Sequence, residues 1–132
     1  MITVGIPNTG VIKAQTMVSL VPALFGGAAY YKQRYGESLS YTMICPIGCY
    51  VSLNRNICAE EAIKLGASHL FFVDADMQFP PDALIKLLDV DKDIVGGAYN
   101  KRGLPIRPIL DQKFEELPQY PCKINALPTG LL

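Results

Sequence analysis

The sequence has a single histidine, twelve basic residues against twelve acidic ones, four cysteines with no repeated CxxC, and no long apolar run free of polar breaks. Each shortage removes a class of function. A formal charge of zero gives no positive field to hold nucleic acid or an anionic membrane surface, so a polyanion partner is not expected. Cys45, Cys49, Cys58 and Cys122 lack the paired knuckles and nearby His ligands of a zinc site and read as buried thiols, with the reducing cytoplasm as the expected location. The one extended apolar stretch, Ala14 to Tyr31, is broken by Gln15, Thr16, Ser19 and Pro22, which argues against a membrane span. The uncharged opening Ile2-Thr3-Val4-Gly5-Ile6-Pro7 goes straight into a strand-like segment and does not read as a signal peptide.

What the chain does contain is the stretch His69 to Pro81, where an apolar run stops at two carboxylates. Leu70 to Val73 is aromatic and β-branched, as in a strand buried on both faces of a parallel sheet. Asp74 and Asp76 follow at its C-terminal end, the edge at which open α/β sheets bind ligands. An i, i+2 carboxylate pair there can turn two oxygens toward one point. Such hard oxygen donors suit Mn²⁺ or Mg²⁺, with substrate phosphates filling the remaining positions. The plainer account of the pair is a solvated turn after a strand, which Asp also favours.

Periodicity and turn residues place the other elements. Ile2 to Ile6 is a strand closed by Pro7 and Asn8-Thr9-Gly10. From about Lys13 to Leu24 the positions Met17, Leu20, Val21 and Leu24 recur at helical spacing, with Gly26-Gly27 as an expected end or bend and Ala28 to Ser40 open between a short helical continuation and a loop. Tyr41 to Cys45 reads as a second strand. Ser52 is placed to cap a helix reaching Leu65, with Gly66 as its stop, Glu60/Lys64 as an outer pair, and Cys58, Ala62 and Leu65 as the inner stripe. Arg55 falls on that stripe one turn before Cys58; a cation there calls for an anion, and an Asp partner or a phosphate serves equally.

Pro81 is expected to open a third helix buried through Leu84, Leu87 and Leu88, and Asp89 to Asp93 a solvated turn. Ile94 to Tyr99 reads as a fourth strand. Four strands alternating with three helices imply α/β architecture, a Rossmann-like three-layer sandwich with a mainly parallel sheet. The chain is expected to be one domain over 1–132, with 100–132 irregular and Pro-rich. Lys101, Arg102 and Arg107 add scattered positive charge there. The apolar end Leu127 to Leu132 is expected to mark a truncated domain and to favour self-association as a homo-oligomer.

Taken together, Ile2 to Pro7, Asn54-Arg55-Asn56, Leu70 to Pro81 and Ile94 to Tyr99 resemble the GT-A glycosyltransferases, particularly the family 2 type, over most of the chain. The most specific part runs from Leu53 to Gly97. The resemblance implies a GT-A-like, incomplete domain that binds a nucleotide-diphosphate sugar, with Pro7 and Asn8 near the nucleoside and Arg55 near nucleotide or diphosphate. Asp74 would lie toward ribose and metal, and Asp76 would ligate Mn²⁺ or Mg²⁺. The acceptor, a glycan, lipid or protein, is not specified, and the catalytic base is expected beyond Leu132. Where relatives carry an acidic residue after the second strand to read the base, this chain has Cys45-Pro46-Ile47-Gly48. Two other readings are a haloacid-dehalogenase-like phosphatase, from which Gln78 and the mid-chain position of the motif depart, and a non-catalytic nucleotide-binding or assembly fragment.

Overall fold

A computed structural model describes residues 1–98 of the chain. The elements run β1 (Ile2–Gly5), α1 (Ala14–Tyr35), β2 (Tyr41–Ile44), α2 (Val51–Lys64), β3 (His69–Phe72) and α3 (Ala83–Asp89). The protein is α/β: its three strands form a parallel sheet in the order β2-β1-β3, with Ile2 opposite both Tyr41 and His69.

Strand alternation divides the sheet into two faces. Ile2, Val4, Ile6, Phe71 and Val73 pack on Leu20 and Ala23 of α1 and on Ala83 and Leu84 of α3 in the main core. Gly5, on the opposite face, meets α2, where an added Cβ would stand 3.1 Å from the Cys58 side chain. Glycine at that position lets α2 sit directly on the central strand. Layers of helix, sheet and helix follow, with α1 and α3 together and α2 across from them.

Several elements depart from their sequence expectation, each for a packing reason. α1 runs past Gly26-Gly27 to Tyr35 and stops at Gly36, whose φ of 74° is left-handed and whose N–H bonds the Lys32 carbonyl at 2.9 Å. Gly27 is kept by contact rather than by a bend: a Cβ there would lie 2.7 Å from the Tyr41 hydroxyl and 2.9 Å from Leu84 Cδ2. Pro22 lies within α1 on its exposed face, where water can take the place of the missing N–H. The first two strands end one residue early, at Gly5 and Ile44.

β3 spans His69–Phe72 rather than Leu70 to Val73, although the Val73 N–H still bonds the Gly5 carbonyl at 3.0 Å. It is not buried on both faces. Phe71 and Val73 are buried toward α1, while Leu70 and Phe72 are half-buried because α2 covers their face incompletely. α2 begins after Tyr50 with no side-chain cap, so Ser52 is an exposed helical residue rather than its cap. The buried stripe is Asn54, Cys58 and Ala62, and Leu65 is exposed beyond the last turn. Lys64 pairs with Glu61 at 2.6 Å rather than with Glu60, and Gly66, at φ 65°, follows the helix as expected. Of the thiols, Cys58 is buried, Cys45 half-buried and Cys49 exposed, so the expectation of buried cysteines holds only in part.

α3 starts at Ala83, not Pro81, because Pro81 and Asp82 form a turn in which the Ala83 N–H bonds the Pro80 carbonyl at 3.0 Å. Residues 94–98 form no strand, which corrects the expected fourth strand as far as the described residues reach. The chain moves from β1 to β2 over the α1 face and from β2 back to β3 over the α2 face, two crossovers of one hand. A further parallel strand outside β3, reached through α3 on the α1 face, would need the opposite hand, which parallel sheets almost never adopt. Tyr99, Lys101, Arg102, Arg107, Cys122, the Pro-rich stretch and Leu127 to Leu132 lie outside the described residues. Among the described residues no helix is long and apolar enough to cross a membrane.

Candidate functional site

The C-terminal edge of the sheet gathers the loops after β1, β2 and β3. The first two are zipped together. Asn8 and Ile47 form an isolated parallel bridge, with the Asn8 N–H donating to the Pro46 carbonyl at 3.1 Å and the Gly48 N–H to the Asn8 carbonyl at 2.9 Å. The Asn8 amide donates to the carbonyls of Ile6 and Pro46, and its oxygen accepts the Gly10 N–H at 2.8 Å. Buried Asn54, from the first turn of α2, donates to the Asn8 carbonyl at 3.3 Å and to that of Gly48 at 3.0 Å. Asn8 therefore commits its side chain to backbone groups. Pro7, also buried, shapes the ledge rather than reaching out from it.

Beyond β3 the chain turns at once. The Met77 N–H bonds the Asp74 carbonyl at 3.1 Å, so Asp74 and Asp76 belong to one turn rather than to one face of a strand. Each carboxylate has a cation from a different part of the chain. Arg55 Nη2 donates to Asp74 Oδ1 at 2.7 Å, and its guanidinium lies 5.6 Å from the centre of the Phe72 ring. Lys13 Nζ, just before α1, stands 3.9 Å from Asp76 Oδ2. Of the anions that the sequence left open for Arg55, the structure supplies an Asp, and that Asp is one of the candidate carboxylates.

Burial lifts the Asp74 carboxyl above its ordinary range, against the hydrogen bond and charge of Arg55 and with help from the neighbouring Asp76 charge. Arg55 thus offsets only part of the cost of half-burying this carboxylate. The donor set tests whether a cation fits. Two carboxylates offer hard oxygen ligands for Mn²⁺ or Mg²⁺, and among the described residues no group of three or more His, Cys, Asp or Glu side chains forms a cage. A cation held by this pair would have to bring much of its coordination with it, as a phosphate-bound Mg²⁺ or Mn²⁺ does. His69 opens β3 at the opposite edge, exposed and within 3.1 Å of the Ser68 hydroxyl, so its ring lies away from the carboxylates.

Lys13, Thr16 and Ser19 belong to no sequence motif of their own. Asn54 adjoins Arg55, but its buried role follows from the Asn8 bridge, which no local pattern reveals. Thr16 and Ser19 register in the sequence only as polar interruptions of an apolar stretch. No protein-family model, curated protein or solved structure matches the chain. The chemistry of the site therefore rests on its own residues.

Proposed function

We propose that this domain binds a nucleotide-diphosphate sugar together with a divalent cation and belongs, in a Rossmann-like GT-A arrangement, to a glycosyltransferase that passes the sugar to an acceptor hydroxyl. The observation that carries the reading is the turn holding Asp74 and Asp76 at the C-terminal sheet edge, flanked by Arg55 and Lys13. Two anions and two cations are interleaved there. A metal–diphosphate complex has the complementary charges, so the carboxylates can take its cation while the guanidinium and ammonium take phosphate oxygens.

When bound, Mn²⁺ or Mg²⁺ would supply Lewis-acid stabilisation of the departing diphosphate. Asp74 and Asp76 would hold it. Arg55, kept in place by Phe72 and by the seating of α2 on Gly5, presents a planar fork suited to phosphate. Lys13 brings a mobile point charge to the same edge. The polar groups of the β1 and β2 loops named above are already bonded to one another, which leaves exposed Val11, Ile47 and Tyr50 as apolar surface beside the ledge for a nucleoside. Free thiols agree with a cytoplasmic setting.

The test is a panel of sugar nucleotides with Mn²⁺ and mixed acceptors, followed by release of nucleoside diphosphate and by ligand-detected NMR with Mg²⁺. Metal-dependent sugar-nucleotide binding lost in Asp76→Asn supports the reading. Asp74-dependent release of inorganic phosphate from simple phosphomonoesters, without sugar-nucleotide binding, would replace it with a phosphatase.

A further inference from the structure

Two buried hydroxyls on consecutive turns of α1 grip the loop that carries the carboxylates. Thr16 Oγ1 donates to the Ala75 carbonyl at 3.0 Å, and the Lys13 N–H donates to the same oxygen at 2.8 Å. One turn further along α1, Ser19 Oγ accepts the Phe79 N–H at 3.2 Å. Thr16 is fully buried and Ser19 nearly so. Between the two grips lie Asp76, Met77 and Gln78, and the first grip holds the residue that joins Asp74 to Asp76.

Hydroxyls within a helix commonly turn back to the carbonyl one turn earlier. These two instead reach residues 59 and 60 positions away in the chain. Packing alone gives no reason for them, because the α1 face they share carries Leu20 and Ala23 in the apolar core. A valine would fill the Thr16 site and an alanine the Ser19 site. What each hydroxyl adds is a partner for a backbone group of the loop and, with it, direction: it fixes one peptide of the loop relative to α1.

We infer that Thr16 and Ser19 are positioning residues for the cation–diphosphate site, holding Asp74 and Asp76 in ligating geometry without touching the ligand. The inference rests on the proposed reading of those two carboxylates. Partners that orient metal ligands through hydrogen bonds commonly change metal affinity by about 10–100-fold when removed. Thr16→Val keeps the shape and leaves the Ala75 carbonyl the Lys13 N–H, so the fold is expected to survive while the loop loosens.

The experiment uses the full chain with Mn²⁺ and inorganic pyrophosphate as probes. Mn²⁺ affinity at saturating pyrophosphate is measured by calorimetry, and the coordination of bound Mn²⁺ by its paramagnetic resonance line shape. Thr16→Val and Ser19→Ala are each expected to lower Mn²⁺ affinity by about 10–100-fold and to alter the line shape, and Thr16→Ser to restore both. A packing role would not be rescued by serine, which lacks the methyl group. Wild-type affinity and line shape in folded Thr16→Val and Ser19→Ala would overturn the inference while leaving the site intact. Absence of Mn²⁺–pyrophosphate binding by the wild type would overturn the reading of the site itself. If Thr16→Val does not fold, Ser19→Ala at the other end of the loop decides between the same two outcomes.

Discussion

Arg55 Nη2 lies 2.7 Å from Asp74 Oδ1 and so ties the first turn of α2 to the end of β3 across the edge of the sheet. The pair joins two demands that the sequence states separately: a cation on an otherwise buried helix stripe, and a carboxylate ending an apolar strand. Burial raises the Asp74 carboxyl, against the hydrogen bond and charge of Arg55.

Arg55→Ala is expected to weaken nucleoside diphosphate binding and to cost about 1–2 kcal/mol of stability, near the low end for a charged hydrogen bond because Asp74 retains contact with water. Arg55→Lys is expected to recover little of either, since an ammonium neither stacks on Phe72 nor presents a fork. Urea melts and nucleotide titrations on the same samples separate the two effects. A variant that binds normally once folded would make Arg55 structural only.

Gly5→Ala should displace α2, because the new methyl would meet Cys58 Cβ and Sγ at 3.1 Å and Phe72 Cδ1 at 3.2 Å. Overpacking of this kind costs about 1–3 kcal/mol. The double variant Gly5→Ala/Cys58→Ala is expected to regain part of that loss, and a double-mutant cycle in denaturant reads the coupling. Additive losses would mean that Gly5 is not required for the seating of the helix.

Tyr41 offers a pH signature away from the site. Burial pushes its phenol up to about 12, and its hydroxyl finds no hydrogen-bond partner among the described residues. With the folded value above the unfolded one, the native state keeps its proton after the unfolded chain has lost it. Stability is therefore retained below about 10 and falls as pH rises from about 10 toward 12. Tyr41→Phe should flatten that alkaline slope and leave neutral stability equal or slightly higher, since it removes an unsatisfied hydroxyl. Alkaline melts, carried through the pH at which the tyrosines titrate by absorbance, check it; an unchanged slope would contradict it.

Much of the fold was legible because short apolar strands and turn residues mark β1, β2 and β3 within one residue at each end. Asp74, Asp76 and Arg55 were legible as chemistry out of place, charges where an apolar pattern stops or lapses. What escaped was set by contacts distant in sequence. Gly27 looks like a helix breaker until Tyr41 and Leu84 stand beside it. Ser52 looks like a cap, although capping depends on where the preceding loop enters, and here Asn8 and Ile47 fix that loop. The expected fourth strand read pattern without topology: with α3 beside α1, a parallel strand outside β3 would need the disfavoured hand. Thr16 and Ser19 register only as interruptions, because their partners lie 59 and 60 residues further along the chain.

The most direct test of a metal-dependent diphosphate site titrates a nucleoside diphosphate into the chain by calorimetry, with Mn²⁺ and again with EDTA, for the wild type and Asp76→Asn. Mn²⁺ is expected to raise wild-type affinity by about 5–150-fold, the usual range of coupling between two ligands, and the gain to disappear in Asp76→Asn. Equal affinities with Mn²⁺ and EDTA, or an undiminished gain in Asp76→Asn, would contradict it.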